Sequence, residues 1–216
     1  MSIGNISLNI SFVIYFMWFI PQIILNFKRK NTEGLSILMH SILFIGYLCD
    51  LMYGFGCSMQ WQYRMVTIIG LISLSIQHYQ IGHYGLHHPQ EKQFYKVLTI
   101  LYPLLFIFCL SAIQFSHFNK SIFDLFGLCT NACWLIYGIP QIIKNYNNQS
   151  TLGLSTVFVC FSIFLNLCDT TSAWALNWDY PSKIGPMLSL TQNLILLSQV
   201  IYYARPKKFS ALVVNS

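Results

Sequence analysis

The stretch Ile20-Pro21-Gln22-Ile23-Ile24 returns 119 residues later as Ile139-Pro140-Gln141-Ile142-Ile143. Other residues keep the same offset. Asn26 meets Asn145, Thr32 meets Thr151, and Gly34-Leu35-Ser36 meets Gly153-Leu154-Ser155. Ten of the seventeen positions from 20 to 36 are identical in the copy. The register runs on without a gap through Leu48-Cys49-Asp50 against Leu167-Cys168-Asp169, and reaches Gln80 against Gln199. Identity at one fixed offset is the mark of an internal duplication. The fold must therefore be one that two copies of a single unit can build.

Composition says which solvent that unit faces. Charged residues make up 8% of the 216 and hydrophobic residues 55%, where a soluble domain carries about 25% charged residues. So few charges cannot cover a water-facing surface, and lipid is the expected solvent for much of the chain. The aromatic share of 16% suits belts of Trp and Tyr at the membrane interfaces, with Trp18 and Trp61 as candidate anchors. The net charge of +6 does not point to nucleic acid, because the basic residues are scattered between apolar runs and form no stripe. The seven cysteines are odd in number, include no Cys-x-x-Cys, and mostly sit inside apolar runs. They read as inert thiols and not as a disulfide frame or metal site.

Seven apolar runs approach the ~20 residues a spanning helix needs: 6–27, 36–57, 63–82, 94–115, 122–146, 154–176 and 184–204. The first has no basic residue before it and no cleavage site after it, so it reads as a retained helix and not a signal peptide. Short polar connectors leave no room for a soluble domain. Residues 1–216 are expected to form a single membrane domain, with repeat one at 6–84, a linker helix at 94–115 and repeat two at 122–204. Lys28, Arg29, Lys30, Lys92, Lys96, Lys144, Arg205, Lys207 and Lys208 fall on one side of the membrane, and Arg64, Lys120 and Lys183 on the other. Nine against three predicts an outer or luminal N-terminus and a cytoplasmic C-terminus. Asn5, Asn9 and Asn119, which each open an N-x-Ser triplet, would lie outside.

Four crossings separate Pro21 from Pro140, so both Pro-Gln pairs face the same side. The three-helix units are then parallel copies, and the odd helix between them restores orientation. Transporters built this way hold solute between the repeats near the midplane. Two Pro-Gln pairs at helix ends, each followed by a polar loop and Gly-Leu-Ser, resemble the PQ-loop repeat family. That family shares a clan with the SWEET sugar carriers, the cystinosin-like amino-acid exporters and the KDEL receptors. The stretch Lys30-Asn31-Thr32-Glu33-Gly34-Leu35-Ser36-Ile37-Leu38-Met39 is also similar to the half-size bacterial relatives of the SWEET carriers. The resemblance implies an all-α, seven-helix membrane fold in a 3+1+3 parallel-repeat arrangement, and transport as its function class.

Candidate working residues follow from where polar groups interrupt apolar helices. A proline inside a helix removes a backbone hydrogen bond and bends the chain, and in a membrane the freed carbonyl needs another partner. Pro21 with Gln22 and Pro140 with Gln141 are therefore a candidate hinge pair, the role the family gives the motif, with a static packing kink as the alternative. Asp50 and Asp169 each lie fourteen residues past the Ser that opens their helix, roughly 21 Å into the span. A carboxylate there costs about 2.5–3.5 kcal/mol to insert, so it is expected to face a cavity. Two such acids repel, and a bound proton relieves the repulsion, which makes them candidates for proton coupling. The plainer alternative is an acid bonded to a Tyr across helices. Relative to the family the position departs from both patterns. The proton-linked Asp of cystinosin-like members lies nearer Gly-Leu-Ser, and the small SWEET relatives carry a sugar-contacting aromatic residue here. Further cavity candidates are Tyr53 beside Asp50, Asn166 beside Asp169, Asn131 and Trp134 on the fifth helix, and Ser73, Gln192 and Asn193 on the third and seventh. For each of these, hydrogen bonding between helices is an equal alternative.

His83, His87 and His88 read as a solvated connector and not a metal site, since no carboxylate or Cys has ligand spacing, while His78 is a weaker proton-path candidate. No nucleotide, metal or nucleophile motif is present, so no cofactor and no enzyme activity is expected. The expected partners are a small solute (an amino acid, a related zwitterion or cation, or a sugar), protons and the lipid bilayer. A homo-oligomer is compatible with this reading. The alternative is a receptor or scaffold on the same fold, as the KDEL receptors illustrate. They grip a carboxylate with basic residues inside the helices, where this chain has almost none.

Overall fold

The computed structural model describes residues 2–85, 93, 100–109, 111 and 120–204. His87, His88, Lys92, Lys96, Asn119, Arg205, Lys207 and Lys208, with much of the expected linker helix at 94–115, lie outside the described residues. Nine α-helices are described: α1 (Ile3–Trp18), α2 (Ile20–Arg29), α3 (Ile37–Gly56), α4 (Trp61–Gln80), α5 (Ile100–Cys109), α6 (Lys120–Ile136), α7 (Ile139–Asn148), α8 (Thr156–Ala175) and α9 (Tyr180–Ala204). Pairs α1–α2 and α6–α7 each run on as one span, which gives six helices long and apolar enough to cross a membrane. The shorter apolar α5 lies between the two sets. The chain is thus all-α and polytopic, two three-helix repeats flanking an intervening helix.

The six long spans close into a ring. In order around it stand α1, α4, α3, α6, α9 and α8, which returns to α1. Within each repeat the third span sits between the first and second. Each first span packs on the second span of the other repeat, as α1 on α8 and α6 on α3. Glycine permits the closest approaches. A Cβ on Gly46 would stand 3.0 Å from Cys133 Cβ, and one on Gly4 would meet Leu176 at 2.7 Å. Outside the ring, large apolar side chains such as Ile10, Val13, Leu125, Leu128 and Trp174 are exposed. On a water-soluble protein such a surface would be an aggregation liability; here it faces lipid.

Both expected proline bends differ from a kinked helix interior. The first long span breaks at Phe19 and the fourth, α6–α7, at Tyr137 and Gly138, and Pro21 and Pro140 are the second residues of new helices. A proline in the first turn needs no N–H partner and supplies its fixed φ at no cost, so the break relieves the clash that an unbroken helix would suffer. Turns are inherited as well as helices. Lys30 (φ 50°) and Gln149 (φ 47°) are repeat equivalents in left-handed conformation, as are Ser58 and Asn177 (both φ 51°). None of these pairs shares a side chain, so the copies share the backbone path and not the chemistry. Ser36 and Ser155 cap α3 and α8 by accepting from Met39 N at 3.2 Å and Phe158 N at 3.3 Å.

One smaller expectation changes. Trp18 is not an interfacial anchor but is buried at 5% exposure, donating from Nε1 to Ser162 Oγ at 2.6 Å. Trp61 is exposed and packs edge-on to Phe12. Asn5 and Asn9 lie within α1, with Ser7 and Ser11 buried. Of the seven free cysteines only Cys168 is buried, while Cys129 and Cys160 are exposed on the outer surface.

Candidate functional site

At one end of the ring the two Gln side chains of the Pro-Gln pairs reach across the repeat boundary. Gln22 Nε2 donates to Gly153 O at 2.9 Å, and its Oε1 accepts from Ser155 N at 2.8 Å. Gln141 does the reciprocal, donating to Gly34 O at 2.9 Å and accepting from Ser36 N at 2.7 Å. Each Gln thus reads the backbone of the other repeat's Gly-Leu-Ser. The second hydrogen of each amide goes to Asn26 Oδ1 or Asn145 Oδ1, both at 2.8 Å. Those Asn side chains donate to Gln80 Oε1 (3.0 Å) and Gln199 Oε1 (2.9 Å), which donate back to Ile23 O and Ile142 O, both at 3.0 Å. All three side-chain pairs, Gln22 with Gln141, Asn26 with Asn145 and Gln80 with Gln199, are repeat identities in the sequence. Gln22, Asn26, Gln80, Gln141 and Asn145 are buried and Gln199 is half-buried, and polar groups paired in this way in an apolar medium add rigidity.

Gly34 and Gly153 touch where the two loops cross. A Cβ at Gly34 would strike Leu152 O, and Gly153 holds φ +108°, open to glycine alone. This reciprocal clasp is not the capping of each kink by its own Gln. The break before α7 is held instead by Gln192, which accepts from Gly138 N and donates to Trp134 O, both at 2.6 Å.

Beyond the clasp a floor of aromatic side chains crosses the ring. Trp18 stacks on Phe158 with centroids 5.4 Å apart, and Tyr47 meets Trp134 edge-on at 5.2 Å. Past it lies a cavity of about 80 Å³, bounded by all six long spans. A site needs about 10–15 Å³ to hold one water, so this one holds several.

Asp50 and Asp169 both line this cavity, one from each repeat. Each accepts a hydrogen bond from a tyrosine on the first or third span: Tyr63 OH to Asp50, and Tyr15 OH to Asp169 Oδ2 at 2.7 Å. Tyr53, Asn131, Trp134 and Asn166 are brought to the same wall. Ser73, Gln192 and Asn193 are not. Asn193 donates to Tyr137 OH at 2.6 Å and to Ser189 O at 2.9 Å, which ties α9 to the end of the sixth helix. Among the described residues no Lys, Arg or His lines the cavity. Its field is that of two acids, softened by hydroxyls and amides.

Several lining residues were not singled out from sequence: Ser11, Tyr47, Tyr63, Thr130, Trp178 and Ser182 among them. Ser11 and Thr130 are repeat equivalents, both hydroxyls inside apolar helices, and that signal was available. Tyr63 and Ser182 are also equivalents, but differ too much in size for the offset to mark them. Trp178 lies just past α8 and meets Tyr63 edge-on at 5.7 Å, at the end of the cavity away from the clasp.

The PQ loop repeat matches residues 3–61 and 122–182. An uncharacterized protein of Schizosaccharomyces pombe is 28% identical over 88 residues, 41% of this chain and 31% of that protein. A vacuolar histidine transporter of Saccharomyces cerevisiae is 28% identical over 89 residues, 41% of this chain and 30% of that protein. The match therefore spans only about a third of the length of either fungal relative. A cystinosin homolog of Dictyostelium discoideum is 23% identical over 240 residues, covering 95% of this chain and 84% of that protein. Among solved structures, a eukaryotic SWEET transporter has the same fold, with TM-score 0.67 at 14% identity over 95% of this chain and 100% of that one.

Proposed function

Because the chain belongs to the PQ-loop repeat family, we propose that it is a membrane carrier that moves a small polar solute by alternating access through the cavity between its repeats. The observation that carries this reading is the pair Asp50 and Asp169. The duplication contributes one acid from each half, and both line one cavity on whose wall, among the described residues, no basic side chain stands. An uncompensated pair of acids inside a membrane is costly to keep. A positively charged group of the solute, or a proton, offsets that cost while it occupies the site. An amino acid, a related zwitterion or a cation fits best: its ammonium group meets the acids, Trp134 offers an aromatic face, and Asn131 and Asn166 offer amides. The names of the yeast and Dictyostelium relatives favour the same class. A sugar is the second reading, supported by those same Trp and Asn side chains and by the likeness in fold to a SWEET transporter.

The Pro-Gln regions act as the hinge pair. α2 and α7 swing about the breaks at Phe19 and Gly138, and the Gln22 and Gln141 clasps close that end. The basic residues around α2 and α7 support a cytoplasmic clasp end. Proton coupling resides in the acids, where a proton on one of them sets how firmly the site holds the solute. The test is uptake of a labelled amino-acid and sugar panel into proteoliposomes, with and without a pH gradient. A chain that moves nothing on the panel, yet binds a peptide or protein tightly, is instead a receptor on this fold.

A further inference from the structure

A duplicated fold carries an internal control: a polar side chain present in one copy alone is one the packing does not require. In the first repeat His40, Gln77 and His78 are 1%, 0% and 0% exposed. The second repeat has Val159, Leu196 and Leu197 at those places. Val159 and Leu196 fill them at 0% and 1% exposure. Apolar side chains satisfy this site, so three polar ones bring a burial cost that packing alone does not explain.

The His40 ring stands between two oxygens. Nδ1 lies 2.9 Å from Ser36 O, and Nε2 lies 2.6 Å from Gln77 Oε1. A backbone carbonyl only accepts, so Nδ1 carries a hydrogen. With Gln77 turned as it is, Nε2 must carry one too, and the ring is then an imidazolium. A neutral ring fits the same cage once the Gln77 amide turns over and presents its NH2 group. Nothing opposes that turn, because Gln77 Nε2 has no hydrogen-bond partner among the described residues. Ring and amide form a two-state pair.

Ser36 connects the pair to the clasp. It caps α3, its carbonyl faces His40, and its N–H is held by Gln141 Oε1 from the other repeat. A charged ring donates more strongly than a neutral one, and so fixes Ser36 more firmly beneath Gln141. Val159 stands where His40 would back the Gln22 clasp, and cannot do the same. Around His40 the titratable and charged groups are few. His78 faces it from α4, with ring centroids 6.1 Å apart, and Tyr102 of α5 packs on His78 at 5.1 Å. Lys144 of α7 donates to Leu35 O at 2.7 Å, with Glu33 in electrostatic reach of it.

The geometry points to His40 with Gln77 as a second proton-binding site, separate from the acids of the cavity, whose occupancy tightens the clasp made by Gln141 and not the one made by Gln22. The site is independent of what the cavity carries, so its test needs no transport. The full chain, labelled with 15N in His and Gln and held in nanodiscs, is titrated by NMR over about pH 5–8, the range of imidazole. His40 is assigned from His40→Gln. The expected result is a His40 ring that passes from one protonated nitrogen to two, with the Gln141 amide moving at the same midpoint and the Gln22 amide still. Gln77→Leu, the residue of the second repeat, is expected to lower that midpoint by roughly 1 pH unit, the difference between a hydrogen bond to the charged ring and one to the neutral ring. A His40 ring with one protonated nitrogen throughout overturns the site. A ring that titrates while Gln141 and Gln22 move alike, or neither moves, overturns its link to the clasp. A midpoint untouched by Gln77→Leu overturns the two-state pair.

Discussion

Gln22 and Gln141 each spend one side-chain hydrogen and the carbonyl oxygen on the other repeat, and the second hydrogen on an Asn of their own. Truncating one strands a backbone carbonyl and a backbone N–H away from water, at about 1–3 kcal/mol for each buried group left unpaired. Gln22→Ala is expected to lower stability by about 3 kcal/mol, seen as a depressed thermal unfolding midpoint in detergent. Gln22→Glu should not restore it, since a carboxylate can accept from Ser155 N but cannot donate to Gly153 O. At the acids the expectation is functional. Asp50→Asn and Asp169→Asn keep a hydrogen-bonding partner for Tyr63 and Tyr15, so the fold survives, while the dependence of uptake on a pH gradient falls away. Full pH-dependent flux in both variants would remove the acids from the coupling step.

At the scale of helices the break, and not the proline alone, is the feature to test. Pro21 and Pro140 occupy first turns, where proline is tolerated. Pro21→Ala should therefore change stability far less than the ~3 kcal/mol of a helix-interior proline effect, yet slow transport by letting α1 and α2 join into one stiff helix. Unchanged uptake rates would count against the hinge. Where the loops cross, Gly34→Ala drives a methyl group into Leu152 O. That contact is backbone on both sides and cannot turn aside, so the variant is expected to open the clasp end. Protease sensitivity of the loop between α2 and α3 would report it.

The ring as a whole places two acids inside an apolar medium with no cation on the same wall among the described residues, so net charge is expected to move if the halves alternate around a cationic solute. Each charge moved is worth about 2.3 kcal/mol per 100 mV, close to a fifty-fold change in accumulation ratio by the same arithmetic. A potassium diffusion potential across proteoliposomes is therefore expected to shift accumulation steeply. An indifferent response would mean an electroneutral cycle, with one proton leaving for each charge that enters.

The amino-acid order by itself determined the helical membrane class, the duplication with its offset, and the residues that repeat at that offset, because hydropathy and self-identity are one-dimensional properties. It placed Asp50 and Asp169 at matching depth, and marked Gln22, Asn26, Gln80 and their copies. Only the tertiary structure decided which partner each one meets. The ring sets each first span against the other repeat's second span, so Gln22 clasps Gly153 and Ser155, and Tyr15 reaches Asp169. It also separated Gln192 and Asn193, which bond from α9 to the junction of α6 and α7, from Asn131 and Asn166 on the cavity wall. Offset and periodicity show that a polar residue is buried, but its hydrogen-bond partner depends on how helices far apart in the chain are arranged around the ring.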